Sequence, residues 1–353
     1  MKRWIWLILL PLCLSGCHAQ STVGDRVIVT GLGITENEGT ITVSVQAVEA
    51  LRTAGSLSEQ SESATAVYTA SGATVAEALQ AFLNEAGRRT YILQNQIIVL
   101  EESTCRNHAL TELLDHFIRT GEGRSTVDLV VCRGDPSTLL GITSDSDAIP
   151  AEYVSRMLLE SQRLTRAFRT RLLDVERASS GMYDAALPLV EVTDGTPRPV
   201  GTMLFRNGIA AGTLTPAETT GLLLAMGEGE RCVYTRDGTT LELKDLHRSV
   251  RAERTADGWR FHVTVTAASH VTEGKRADAA ALTAVEAAIA ADIEGALART
   301  YTAYDSDPLG LARLAAARYK NDGITEDAVR AGLHTAAFSA SVDLSHTDNG
   351  LIR

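Results

Sequence analysis

Hydrophobic and polar positions along the chain alternate at two periods, and the period changes mark its elements. Residues 26–34, RVIVTGLGI, are rich in β-branched side chains. Residues 39–50 place Ile41, Val43, Val45 and Ala47 on one face and Thr42, Ser44 and Gln46 on the other. A period of two reads as a strand, and Glu36-Asn37-Glu38-Gly39 between the two runs predicts a hairpin. Residues 53–66 are polar and serine-rich and read as a loop. A helix is predicted over about 75–86, with Thr74 and Glu77 as a capping box and Val75, Leu79, Phe82 and Leu83 on one stripe. TYILQNQIIVLEE then supplies strand material. Leu110, Leu113, Leu114, Phe117 and Ile118 trace the apolar stripe of a second helix. TVDLVVCRG is a further strand, Asp135-Pro136 opens a short helix with proline at its first position, and IPAEYVSRMLLESQRL is another helix.

DGTPRPVG, residues 194–201, concentrates glycine and proline and is the strongest boundary signal in the chain. Beyond it, GTMLFRNGIAAGTL predicts a hairpin turning at Asn207-Gly208. Thr215-Pro216-Ala217-Glu218 starts a helix with a capping box. Strands follow at about 231–235, 239–253 and 259–272. A long alanine-rich helix covers about 279–304, with Leu282, Val285, Ile289, Ile293, Leu297 and Tyr301 on one face. PLGLARLAAARY is a shorter helix, and TAAFSASVDLSH is a closing strand. The pattern predicts an α+β, mixed α/β chain of several domains. Residues 17–193 form an N-terminal α/β region of one or two subdomains, and residues 200–353 a C-terminal α+β domain in which the long helix covers an antiparallel sheet.

The first twenty residues follow a different logic. Lys2 and Arg3 precede an uncharged apolar run from Trp4 to Leu14. This is too short for a bilayer span, which takes ~20 residues, and fits a secretory signal peptide of residues 1–16. Leu14-Ser15-Gly16-Cys17 has the form of a lipobox, which makes Cys17 the lipid attachment site, while Cys13 is an apolar residue of the leader. The predicted mature chain is thus a body tethered to a membrane on its extracytoplasmic side.

Net charge is −11, so electrostatic attraction to nucleic acid or anionic lipid is not expected. Past Cys17 only Cys105, Cys132 and Cys232 remain, too few for a disulfide framework. A Cys105–Cys132 bridge and three buried thiols both stay open. His108 and His116 are eight apart, beyond the reach of a helical metal pair, and read as flanking or capping residues. GLGITE at 31–36 reads as a strand end, GEGRST lacks the spacing of a phosphate loop, and ASSGM lacks the frame of a nucleophile elbow. No catalytic residue, metal ligand or cofactor site is assigned.

Five segments in order resemble the Ger(x)C lipoproteins, the C subunits of spore germinant receptors. They are VIVTGLGI after Cys17, IPAEYVSRML at 149–158, GTMLFRNGIAAGTLTPAETTGLLLAMG at 201–227, TYTAYDSDPLGLARLA, and VDLSHTDNGLI at 342–352. The resemblance implies a non-enzymatic receptor subunit on the outer face of the inner spore membrane. Its partners would be a membrane A subunit and a transporter-like B subunit. It also implies a three-domain body of mixed α/β folds. The contrasting reading is a lipid-anchored solute-binding protein of a transporter, which requires a cleft between two lobes; aromatic residues make up only 5% of this chain.

Overall fold

The computed structural model describes residues 26–49, 65–87, 89–121, 123–142, 149–236, 238–274 and 279–346. The leader, Cys17 and most of the 53–66 loop lie outside the described residues.

The first hairpin forms as predicted. Strands β1 (Arg26–Asn37) and β2 (Thr40–Glu49) pair antiparallel around a turn in which Glu38 and Gly39 both have positive φ, 51° and 80°. That turn matches the right-handed twist of its strands. β3 (Thr65–Gly72), which the periodicity did not reveal, adds to β2. Helix α1 (Val75–Ala86) starts at Thr74, whose Oγ1 accepts from Glu77 N, while the Glu77 carboxylate accepts from Ala73 N. The chain then runs through β4 (Arg89–Tyr91), β5 (Ile97–Glu101), α2 (Glu102–Asn107), α3 (Leu110–Thr120), β6 (Asp128–Arg133), α4 (Pro136–Leu140) and α5 (Pro150–Arg163). Next come β7 (Thr170–Arg171), α6 (Leu172–Ser179), β8 (Ala186–Thr193), β9 (Thr196–Arg206) and β10 (Ile209–Leu214).

These ten strands form one mixed sheet in the order β10-β9-β8-β6-β5-β1-β2-β3, with β4 beside β1 and β7 beside β6. β1, β5, β6 and β8 run parallel to their neighbours in that row. Both faces are covered, so the central strands divide residue by residue. Ile98, Leu100, Leu129 and Val131 join the core beneath α1, α3 and α6. Ile97, Val99, Val130 and Cys132 join the one beneath α4 and α5. This explains why IIVL and LVVC are continuously apolar. The four buried residues of α3, Leu110, Leu113, Leu114 and Phe117, each contribute about 1.5–3 kcal/mol by leaving water.

The glycine- and proline-rich stretch 194–201 turns the chain between two paired strands. It is a hairpin turn and the first half of β9, and the large sheet passes straight through it. Pro199 lies at the β8–β9 register shift beside Val190, and β10 pairs only with Thr202–Arg206, so both Pro197 and Pro199 sit where β9 is an edge strand. The Asn207-Gly208 hairpin, assigned with the C-terminal region, forms with positive φ at both turn residues, but it too belongs to the large sheet.

Helix α7 (Pro216–Met226) begins with the predicted capping box, Thr215 and Glu218. A second sheet follows: β11 (Arg231–Arg236), β12 (Thr239–Thr255), β13 (Gly258–Glu273) and, after the helices, β14 (Ala337–His346). The first three strands are antiparallel as predicted. The expectation of an antiparallel sheet fails at its last strand, because β14 enters parallel to β13. Between them lie α8 (Ala279–Leu297), α9 (Leu311–Arg318) and α10 (Glu326–Arg330), and the chain has to cross the sheet before it returns. The predicted long helix is α-helical only to Leu297; residues Ala298–Ala303 form a π-helical turn.

α8 lies across the second sheet and is tied to both its edges. Glu286 and Glu294 accept from the backbone N–H of Leu344 and Ala340 on β14, and Asp292 accepts from the Tyr234 hydroxyl on β11. All three acids of the helix are thus used, and the two bonded to β14 blunt its edge against further pairing. Its core contains Phe261, Val263, Ile289, Ile293 and Tyr301, and reaches into the first half at Phe168 and at Ala186, Leu204 and Leu214 of the large sheet.

Candidate functional site at the junction of the two sheets

Where the sheets meet, one loop holds them together. The π-helical turn 298–303 redirects the chain so that the Tyr301 ring stacks on Phe338, with centroids 4.9 Å apart, and its hydroxyl donates to Asp307 Oδ1 at 2.8 Å. Asp307 Oδ1 also accepts from Leu311 N and Oδ2 from Ala312 N, at 2.7 and 2.9 Å, satisfying donors in the first turn of α9 that have no partner within the helix. Across the junction, Asp184 just before β8 mirrors this arrangement. Its N–H donates to the Asp307 carbonyl, its Oδ2 accepts from Asp307 N at 2.8 Å, and its Oδ1 accepts from Asn207 N at 2.9 Å. Arg330 of α10 donates to Asp184 Oδ2 and lies 3.9 Å from Asp307 Oδ2.

The same loop grips β9 and β10 at three more points. Ser306 Oγ donates to the Phe205 carbonyl at 2.6 Å, the Tyr304 hydroxyl donates to the Thr213 carbonyl at 3.1 Å, and Arg206 pairs with Asp305 at 2.6 Å. The Tyr304 ring packs against Gly212, where a side-chain carbon would lie 2.2–2.5 Å from three ring atoms. Asp184 and Asp307 are almost wholly buried. Burial holds the Asp307 carboxyl above the ordinary range against the pull of the Ala312 and Leu311 N–H groups, the Tyr301 hydroxyl and Arg330. Burial likewise raises Tyr301 well above a free phenol, and the Asp307 charge adds to it. The charged groups and the Tyr301, Tyr304 and Ser306 hydroxyls here are all paired, while Thr300 Oγ1 is buried in the π-helical turn without a partner, so the arrangement is mechanical: it fixes one sheet against the other.

A second buried polar pin sits inside the first half. Gln46, wholly buried, accepts from the Thr30 hydroxyl at 2.8 Å and from Ala151 N at 3.1 Å, and donates to the Leu140 carbonyl. It therefore fixes the end of α4 against the start of α5. Arg169 and Asp128 form a bidentate pair at 2.9 and 3.1 Å, with Ser155 donating to the same carboxylate.

The remaining candidates from the sequence are scattered. His108 ends α2 and contacts Glu36 at 3.2 Å and Glu112 at 3.5 Å; His116 lies within α3 against the Phe117 ring. Residues 31–36 are strand, within β1. Cys105 and Cys132 are free and packed against opposite faces of the large sheet, so they do not form the bridge left open by the sequence. Burial pushes both thiols up to about 12, and that of Cys232 to about 11. The sequence missed His262, whose two ring nitrogens lie 2.9 and 3.0 Å from the hydroxyls of Ser339 and Ser341. Only the β13–β14 register brings these together, and both nitrogens are occupied. Among the described residues, no group of three His, Cys, Asp or Glu side chains could hold a metal ion, and no helix is long and apolar enough to cross a membrane.

Comparison with known proteins places this geometry in context. Residues 20–192 match the family model for the spore germination protein N-terminal domain, and residues 200–327 match that for the spore germination B3/GerAC-like C-terminal domain. Spore germination protein KC of Bacillus subtilis (strain 168) is 24% identical over 159 residues, which are 44% of this chain and 39% of that protein; the match thus spans well under half of the relative. The crystal structure of the GerBC protein covers 90% of this chain and 96% of its own at a TM-score of 0.58 and 18% identity, a likeness of fold.

Proposed function

Because the chain belongs to the Ger(x)C family of spore germination proteins, we propose that it is the non-enzymatic, lipid-anchored C subunit of a nutrient germinant receptor. On this reading it works with membrane A and B subunits at the outer face of the inner spore membrane to trigger germination. The observation that carries it is the pair of family models, matched in order and together spanning most of the chain. The buried network at Asp184, Asp307 and Arg330 supports it further. A solute-binding protein closes two lobes about a hinge, whereas these two sheets are held together by a loop whose charged groups and Tyr and Ser hydroxyls are paired across the junction.

Cys17 supplies the anchor. Two acyl chains, at about 0.8 kcal/mol per buried methylene, hold a body at the bilayer where one chain does so only marginally. Confinement to the membrane raises the effective concentration toward membrane partners, so modest contacts suffice for assembly. The test is affinity purification of the tagged chain from spore membranes, together with deletion of its gene. Co-recovery of a multi-pass transporter-like protein and a larger membrane subunit is expected, with loss of nutrient-triggered germination. Normal germination with every nutrient in a strain lacking paralogues would refute the role. Labelling with a palmitate analogue tests the anchor separately: incorporation should vanish in Cys17→Ala.

A further inference from the structure

Beside the junction network a cavity of about 380 Å³ opens between the two halves. Its apolar wall comes from Phe168, Ala185, Ala186, Leu223, Met226 and Pro308. Five charged side chains also line it, and three are already spent. Arg169 is committed to Asp128, and Asp184 to Arg330 and two backbone N–H groups. Asp174 accepts from the backbone N–H of Arg171 at the start of α6 and faces Arg177 at 3.8 Å. The uncharged polar groups are spent as well: the Thr170 hydroxyl donates to the Ala186 carbonyl, and the Tyr183 hydroxyl to the Asp174 carbonyl.

Two charges of opposite sign remain. Arg171 lines the cavity, and its guanidinium has no acceptor among the described residues. Glu228, just beyond the end of α7, receives one long bond, from the Gln162 amide to Oε2 at 3.3 Å. One comes from each half of the molecule, with the apolar wall shared between the halves. A monoanion drawn to Arg171 would share the cavity with the uncompensated Glu228 carboxylate, and a monocation would meet the guanidinium. A molecule carrying both charges satisfies both residues. The volume lies near the lower end of the range for small-molecule pockets, about 300–1,000 Å³, which suits a compact body.

We propose that this cavity binds a small zwitterion with an apolar body, its anionic end on Arg171 and its cationic end on Glu228. The site is preformed and asks for no closure of lobes, and it does not depend on which proteins the chain meets at the membrane.

The test is calorimetric titration of the full-length lipidated chain in detergent with three probes: L-leucine, N-acetyl-L-leucine, which lacks the cation, and L-leucine methyl ester, which lacks the anion. Leucine should bind saturably, and each derivative about tenfold more weakly, the equivalent of one charge-assisted hydrogen bond. Arg171→Gln should abolish the advantage of leucine over the ester, and Glu228→Gln its advantage over the N-acetyl compound. Both side chains are exposed, so each variant should keep the parent's urea midpoint, which is measured alongside. Absence of saturable binding by leucine, equal affinity for all three probes, or variants that leave the ratios unchanged would each overturn the inference. That result would leave co-purification with membrane partners untouched, so the two readings fail separately.

Discussion

Removing the Arg330 guanidinium tests the junction most directly. Arg330→Met keeps the length and apolar stem of the side chain and deletes only the charge shared by Asp184 and Asp307. Those carboxylates are almost fully buried, with side-chain exposures of 4% and 3%, while Arg330 is 21% exposed. Stripping one partner from a buried pair costs about 3–5 kcal/mol, because the remaining charge is left uncompensated. Here the Tyr301 hydroxyl and the N–H groups of Asn207, Asp307, Leu311 and Ala312 remain, so the lower end applies, about 3 kcal/mol, or roughly a hundredfold in the folding equilibrium. The pH dependence gives the loss a signature. Burial already raises the Asp307 carboxyl, and without Arg330 its folded-state value rises further above the unfolded one. A carboxyl raised on folding favours the folded state below its unfolded value, and that contribution is lost as pH rises through the folded value. The variant's deficit should therefore be full at neutral pH and shrink on acidification, as the Asp307 carboxyl takes up its proton. Urea unfolding of parent and variant near pH 7.5 and near pH 4.5 measures both effects. A deficit below about 1 kcal/mol, the size of a surface ion pair, or one equal at both pH values, would refute the reasoning.

Three further predictions follow from the packing. Gln46→Leu fills the same space but strands the Ala151 N–H and the Leu140 carbonyl, and should cost about 3 kcal/mol in urea unfolding, with amide exchange at Ala151 accelerated. Gly212→Ala should cost about 1–3 kcal/mol by driving the Tyr304 ring off β10, and most of that cost should disappear in a Tyr304→Ala background. The thiols of Cys105, Cys132 and Cys232, raised by burial to about 12, 12 and 11, should resist a thiolate-selective reagent at neutral pH and react together once the protein unfolds.

How far the sequence foretells the structure depends on how local each determinant is. The turns at Glu38-Gly39 and Asn207-Gly208 and the caps at Thr74, Asp135 and Thr215 are legible because their backbone demands are met by adjacent residues. The amphipathic helices α1, α3 and α5 are legible because each carries its own stripe. Strands β3 and β8 and helix α6 went unseen because their places are set by distant partners. Gln46 shows the failure most clearly. Alternation along β2 assigns Thr42, Ser44 and Gln46 to a polar face, which a one-sided sheet would turn to water. In this two-sided sheet Ser44 is 3% exposed and Gln46 is wholly buried, and the polar face has become an anchor for α4 and α5. The direction of β14 was illegible for a related reason: period-two alternation is the same for parallel and antiparallel entry, and only the path of α8, α9 and α10 decides it.

The junction network combines both kinds of determinant and limits what kind of machine the molecule can be. The segment from Tyr301 to Asp307 is conspicuous in the sequence, but Asp184 and Arg330 stand far from it along the chain and share no period with it. Their bonds add a polar lock where the core of the second sheet, which already includes Ala186, Leu204 and Leu214, meets the large sheet. An apolar junction of equal area could slide, since burial is non-directional. Paired carboxylates bridged by one guanidinium cannot slide without exposing a buried charge. Motion of one sheet against the other should thus cost several kilocalories, far more than a binding protein spends on closing its lobes. In the proposed receptor role, any signal this body carries should pass as a rigid-body movement, with the cavity between its halves held open at constant shape.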